Sequence, residues 1–345
     1  MVVTKKILHA LTRNNTGRPP FWFMRQAGRY LPEYRKVRAT TSNFLELCYS
    51  PKKAAEITLQ PLRRYKMDAA IIFSDILVIP DALGQKVKFV DGVGPVLEPV
   101  SKASDLDCLS SEEIDNVLQP VLETITLVKY ALNNNTTLIG FAGSPWTVAF
   151  YMVEGGSNKD GTKVKYWAKK NSYSFQKLID ILCDATIRYV LKQIESGVEV
   201  IQLFDSWAGL LNREDFKRWV IEPNRRIVKN IKFHYPNIPV IGFPRNAGKK
   251  YFDFAQQTGV DGINIDHTVS LDWAAEVLQP ICTVQGNLDN SILLSGGKEM
   301  DSAVKNILDI LSRGPFIFNL GHGILPATPP EHVERVVKLV NSWRG

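Results

Sequence analysis

Cysteine is scarce in this sequence: four residues in 345, Cys48, Cys108, Cys183 and Cys282, lie far apart with no C-x-x-C pair. That spacing excludes a disulfide framework and a thiolate zinc site, and predicts reduced cysteines in the core. No apolar run approaches the 18 or more residues of a membrane-spanning helix. The opening segment MVVTKKILHALTRNNTGRPP has neither the apolar stretch of a secretory signal nor a transit-like leader. The expectation is a cytoplasmic protein without a membrane partner. Signatures of bound groups are missing too. There is no Walker loop, no H-x-x-x-H pair, no Lys in a Schiff-base setting and no G-x-S-x-G elbow at Ser206. The chemistry is therefore expected to run on protein groups, with no metal and no cofactor. Repeats, low-complexity tracts and linkers are absent, which predicts one domain over 1–345.

What is present has ordinary globular composition, 45% hydrophobic and 22% charged, enough for a large core. The net charge of +7 is uneven. Residues 1 to 66 hold fourteen Lys and Arg against three Glu, a local +11, so the remainder carries −4. Such a field suits a polyanionic partner, either nucleic acid or a multiply charged small molecule.

Eight short apolar runs recur between helix-length segments: FWFM (21–24), AAIIF (69–73), TLIGF (137–141), VIQLF (200–204), IPVIGF (238–243), GINI (262–265), ICTVQ (281–285) and FIFNL (316–320). Near-continuous apolar strands are what a parallel sheet covered on both faces requires, and eight is the number of a (β/α)₈ barrel. A doubly wound open sheet would show G-x-G-x-x-G after its first strand, and RQAGRY does not fit. Helix signals support the alternation. Ser110 and Glu113 make a capping-box pattern, Gly197 and Gly259 stand at helix C-termini, and Thr328-Pro329-Pro330-Glu331 opens the last helix. KVKFVDGVGPVLEP (86–99), with Asp91-Gly92 at its centre, predicts a β-hairpin inserted after strand two.

In such a barrel the chemistry lies at the C-terminal strand ends. Those ends are polar here: Arg25, Asp75, GSPWT (143–147), FDSW with Ser206, FPRNAG with Arg245, Asp266-His267, GNLD (286–289) and NLGHG with His322. Arg25, Arg29, Arg35 and Arg38 are the most informative group, because a guanidinium binds carboxylate or phosphate in a bidentate fork and stays charged. Gly28 lets the backbone pass close to a ligand. Asp75 is either a carboxylate at the mouth or, with Ser74, a helix N-cap. Tyr151 is a core aromatic or a hydroxyl that reaches the site. Ser206 reads as a hydrogen-bond donor.

The segments FMRQAGRYLPEYR, TLQPLRRYKMDAAIIFSDIL, GFAGSPWT, YMVEGG, QLFDSW, QGNLD and FNLGHGI occur in this order across the chain. Together they resemble the uroporphyrinogen decarboxylase family. The resemblance implies a TIM barrel, usually a homodimer, that works without a cofactor in porphyrin and haem synthesis. The reaction it implies converts the four acetate side chains of uroporphyrinogen III to methyl groups, giving coproporphyrinogen III and carbon dioxide. It also implies the site. Arg25, Gln26, Ala27, Gly28 and Arg29 correspond to the loop that holds substrate carboxylates, Asp75 to the aspartate of the cleft, and Tyr151, Ser206 and His322 to further substrate contacts. Asp75, Arg25 and Arg29 form the catalytic set, and Arg38 is one more basic position. FPRNAG and Asp266-His267-Thr268 depart from the common family pattern, and His267 is expected to fill a packing position. Two rivals are a corrinoid-linked methyltransferase, which needs zinc ligands where Cys282 is the only late cysteine, and a nucleic-acid-binding module using the N-terminal charge.

Overall fold

The structure, a computed structural model, describes residues 5–14, 17–90, 92–157 and 160–345. Among them nine strands follow in chain order: β1 (Ala69–Ile71), β2 (Val87–Val90), β3 (Gly94–Leu97), β4 (Thr137–Gly143), β5 (Val200–Asp205), β6 (Val240–Pro244), β7 (Gly262–Asn264), β8 (Thr283–Leu288) and β9 (Phe316–Leu320). β2 and β3 pair antiparallel, Val90 opposite Gly94, as the inserted hairpin. Asp91 at its turn lies outside the described residues. The other seven strands form one parallel sheet in the order β1-β4-β5-β6-β7-β8-β9.

Segment FWFM is not a full strand, contrary to expectation, yet it closes the barrel. Phe21 makes a single parallel bridge to Phe318. The Phe318 N–H donates to Pro20 O at 2.9 Å, and on the other side Asp68 N–H donates to Phe21 O at 3.1 Å. The segment therefore fills the gap between β9 and β1 as the first of eight staves. Its ladder stops for a local reason: side-chain amides capture the next two N–H groups. Phe23 N–H donates to Gln26 Oε1 (3.1 Å) and Met24 N–H to Asn319 Oδ1 (3.0 Å).

Helices cover the outside. Gly297–Leu311 buries Met300, Val304, Ile307, Leu308 and Leu311, one stripe at helical spacing, each side chain adding roughly 2 kcal/mol on burial. Inside the barrel, amides form a polar layer below the mouth. Trp22 Nε1 donates to Gln285 Oε1 (2.9 Å), and Gln285 Nε2 donates to Asn264 Oδ1 (2.6 Å) and Gln202 Oε1 (3.1 Å). Because β5 and β8 are not neighbours in the sheet, the Gln285–Gln202 bond spans the lumen and braces the wall.

Three smaller expectations change. Helix Ile114–Ala131 begins without a side-chain cap; Ser110 Oγ instead accepts from Glu112 N–H at 3.2 Å. The last helix, Pro330–Ser342, has Pro329 at its N-cap, and the buried Thr328 hydroxyl has no partner. Cys48, Cys183 and Cys282 are buried and free, but Cys108 is exposed. Gly259, with φ +78, does end helix Lys250–Thr258 in the left-handed conformation. No described helix is long and apolar enough to cross a membrane.

Candidate active site

The chain direction brings the polar strand ends to one mouth. Of the eight arginines in residues 1 to 66, six are engaged inside the protein. Arg18 pairs with Asp68 (2.7 Å), Arg63 with Glu56 (2.5 Å) and Arg64 with Glu33 (3.0 Å). Arg13, Arg35 and Arg38 donate to the carbonyls of Gln279, Arg29 and Thr41. Arg35 and Arg38 thus brace their own loop. Arg25 and Arg29 are left without an ion pair or side-chain hydrogen bond among the described residues. The N-terminal surplus is therefore largely internal bracing around two free guanidiniums, a poor footprint for a duplex.

Arg25 holds a left-handed backbone, φ +61, which costs a residue with a Cβ roughly 1 kcal/mol. Its side chain crosses Gly323, whose missing Cβ makes the room. It is accessible from the open cleft but walled by protein on most sides. That enclosure lowers its pKa, with Arg29 and Arg245 acting in the same direction and Asp75 and Tyr151 opposing. Gln26 is different from its neighbours. It is fully buried, its amide bonds Phe23 N–H and Ala69 O, its N–H donates to Phe23 O and its carbonyl accepts from Tyr30 Oη. Gln26 therefore fastens the loop to β1, its side-chain amide and both backbone groups engaged within the protein. The N–H groups of Ala27, Gly28 and Arg29 make no hydrogen bond among the described residues, an arrangement suited to an anion.

Asp75 lies four residues beyond β1. One oxygen accepts from Leu77 N–H at 2.9 Å and closes the turn; the other has no partner among the described residues. Asp75 does not cap the following helix, Val78–Ala82. Burial raises its pKa to about 6 against the Leu77 hydrogen bond and Arg25. Tyr151, on helix Pro145–Glu154, is half-buried, and burial raises its phenol. The Trp207 indole N–H lies beside it without a hydrogen bond of ordinary geometry. His322 is pushed down to about 3 by burial, then by Arg245 and Arg25, and its Nδ1 is buried without a partner. Ser206 is half-buried at the end of β5, its hydroxyl unbonded among the described residues.

The electrostatic neighbourhood links Arg25, Asp75, Tyr151 and His322 in one cleft. Two carboxyls that sequence reasoning placed at strand ends without a role support the site. Asp205, fully buried and raised to about 7 by that burial, accepts from Thr147 Oγ1 at 2.6 Å, which accepts from Trp207 N–H at 3.1 Å. This chain fixes the turn that carries Ser206. Asp266 does the same for the loop after β6, accepting from Asn246 N–H and Tyr251 Oη, both at 2.7 Å. His267 does not pack in the core as expected. Its side chain is 37% exposed, 3.9 Å from Asp289.

Other surfaces offer less chemistry. A groove of about 600 Å³ lies outside the barrel between helices Ser172–Glu195 and Glu222–His234, where Arg226 is already paired with Asp180 and Asp184. Cys282 precedes β8 at the end remote from the mouth, and no three His, Cys, Asp or Glu among the described residues cluster closely enough to hold a metal.

Residues 3–343 match the sequence profile of the uroporphyrinogen decarboxylase family. The chain is 52% identical to the uroporphyrinogen decarboxylase of Rhodospirillum rubrum, over 99% of this chain and 98% of that one. It is 50% identical to that of Paracoccus denitrificans, over 97% and 98%. Among solved structures, a methyltransferase from Methanosarcina mazei shares the fold with TM-score 0.77 over 97% of both chains, at 19% identity. The strand-end arrangement, the profile over almost the whole length and the half-identical relatives lead to one conclusion: the chain belongs to the uroporphyrinogen decarboxylase family.

Proposed function

We propose that this chain decarboxylates the four acetate side chains of uroporphyrinogen III to methyl groups, giving coproporphyrinogen III and four molecules of carbon dioxide. The observation that carries the reading is the opposition, in one cleft, of two unpaired arginines and one half-unpaired carboxylate, Asp75. The substrate supplies the complement of both: a rim of carboxylates and a centre of pyrrole N–H donors.

A pyrrole acetate has no adjacent carbonyl to take the electrons released with carbon dioxide. Protonation of a ring carbon supplies the sink. The C–C bond then breaks toward the cationic ring, the exocyclic CH₂ gains a proton to become CH₃, and the ring carbon gives one up. The net change exchanges a carboxylate for a proton, and no cofactor is needed. In this scheme Asp75 accepts the pyrrole N–H bonds and offsets the cation in a site of low dielectric. Arg25, Arg29 and the free N–H groups of Ala27 and Gly28 hold carboxylates. Tyr151, Ser206 and His322 fix the ring by hydrogen bonds. His322 is neutral and Tyr151 a poor acid, so both serve as hydrogen-bonding groups. Arg25, shifted toward acidity by enclosure and by two like charges, is the cationic donor best placed beside an acetate.

The working form we propose is a homodimer in the cytoplasm, which sedimentation of the purified chain and fractionation of cells test directly. The activity is tested by anaerobic incubation with uroporphyrinogen III, followed by carboxyl counting on the oxidised products. Species with seven, six, five and four carboxyls appearing in turn are expected; unchanged substrate refutes the proposal.

A further inference from the structure

Arg245 ends on the wall opposite Arg25. With the segment around Phe21 as the first of eight staves, β6 is the fifth, directly across the barrel. The backbone there is fixed on both sides. Arg245 N–H donates to Asp205 O at 3.1 Å, and its carbonyl accepts from Gly209 N–H at 3.0 Å. Asn246 follows in a left-handed conformation, φ +59, tied by its N–H to Asp266.

Asp266 makes no ion pair with the arginine among the described residues, and its oxygens accept from other donors. Oδ1 accepts from Thr268 N–H (3.0 Å) and Oγ1 (2.5 Å), and Oδ2 accepts from Asn246 N–H and Tyr251 Oη. Arg245 has no ion pair among the described residues, and its Nε is buried without a partner. A guanidinium offers five donors, and an unpartnered buried one is a cost to the fold unless something else completes it. Its charge reaches the same cleft, acting on Arg25, Tyr151 and His322.

A macrocycle seated between the walls presents carboxylates around its whole rim. Arg25, Arg29 and the 27–29 loop serve one side only. We infer that Arg245 is a substrate-binding residue that holds a side-chain carboxylate on the rim opposite Arg25, fixing the tilt of the ring over Asp75. This inference rests on the uroporphyrinogen reading above.

The test compares Arg245→Gln and Arg245→Lys with the unaltered chain in steady-state decarboxylation and in equilibrium titration with uroporphyrin, the oxidised ring bearing the same eight carboxylates. Loss of one charge-assisted contact predicts a KM and a uroporphyrin Kd raised about tenfold or more in Arg245→Gln, kcat within about threefold, and partial recovery in Arg245→Lys. Because Arg245 is half-buried and makes no ion pair among the described residues, its removal predicts a nearly unchanged Tm. KM and Kd within twofold of the unaltered chain overturn the inference. So does a fall of several degrees in the Tm of Arg245→Gln, or a lysine variant no better than glutamine. Failure of the unaltered chain to release carbon dioxide refutes the decarboxylase reading instead, and the uroporphyrin titration then still decides whether Arg245 binds a polycarboxylate.

Discussion

Arg25 lies across Gly323: a Cβ at residue 323 would stand 2.4 Å from Arg25 Cδ and 2.6 Å from Cγ. The glycine after His322 is thus the surface along which the arginine reaches the cleft. Gly323→Ala would be relieved by moving a flexible side chain, so the fold should survive and the site should not. We expect kcat/KM to fall ~10- to 100-fold, as for other displaced catalytic groups, with Tm nearly unchanged. Normal turnover in this variant would detach Arg25 from the chemistry.

Arg25→Lys keeps the left-handed backbone and the positive charge but loses the planar fork. Turnover of uroporphyrinogen III should drop ~10-fold or more, measured at saturating and limiting substrate. If lysine suffices, bidentate binding is not what the position provides.

Asp75 ties function to pH. With its pKa raised to about 6, the carboxylate dominates above that value, and kcat/KM should decline as pH falls through 6. Asp75→Asn should lose ~100-fold in kcat with binding largely kept. The stability effect has the opposite sign. A raised carboxyl pKa means that ionisation costs the folded state, a penalty that develops from pH 3.8 to 6 and is complete above 6. Asparagine should therefore stabilise the unliganded protein at pH 8, by on the order of 1 kcal/mol, read by denaturant unfolding.

His322, depressed to about 3, should stay neutral throughout the working range. Its imidazole carbon and nitrogen NMR shifts are expected to show no titration between pH 8 and 5. Because the unfolded chain takes up this proton near pH 6.5 and the folded one does not, the contribution to stability is full above 6.5 and declines toward pH 3. His322→Gln should flatten that part of the acid unfolding curve.

Gln26→Ala is a test of architecture. It strands the buried Phe23 N–H and Ala69 carbonyl, which the amide now bonds, and should cost about 2 to 4 kcal/mol in urea unfolding. Loss of activity without loss of stability would instead assign Gln26 to substrate binding.

The apolar runs were legible because fully buried parallel strands write their burial directly into consecutive residues. Seven of them coincide with barrel strands to within a few residues, and the polar residues beyond each run fell at the mouth as strand direction requires. Family motifs then identified the chemistry. Only the tertiary structure decided which of those polar groups are free. Arg18 and Arg64 look no different in sequence from Arg25 and Arg29, yet Asp68 and Glu33 consume the first two and nothing among the described residues consumes the second pair. Gln26 and Arg245 differ for the same reason, the first engaged on both sides and the second without an ion pair among the described residues. A side chain's availability depends on partners brought near by the fold, such as Ala69 for one and the saturated Asp266 for the other, and those pairings leave no local pattern to read.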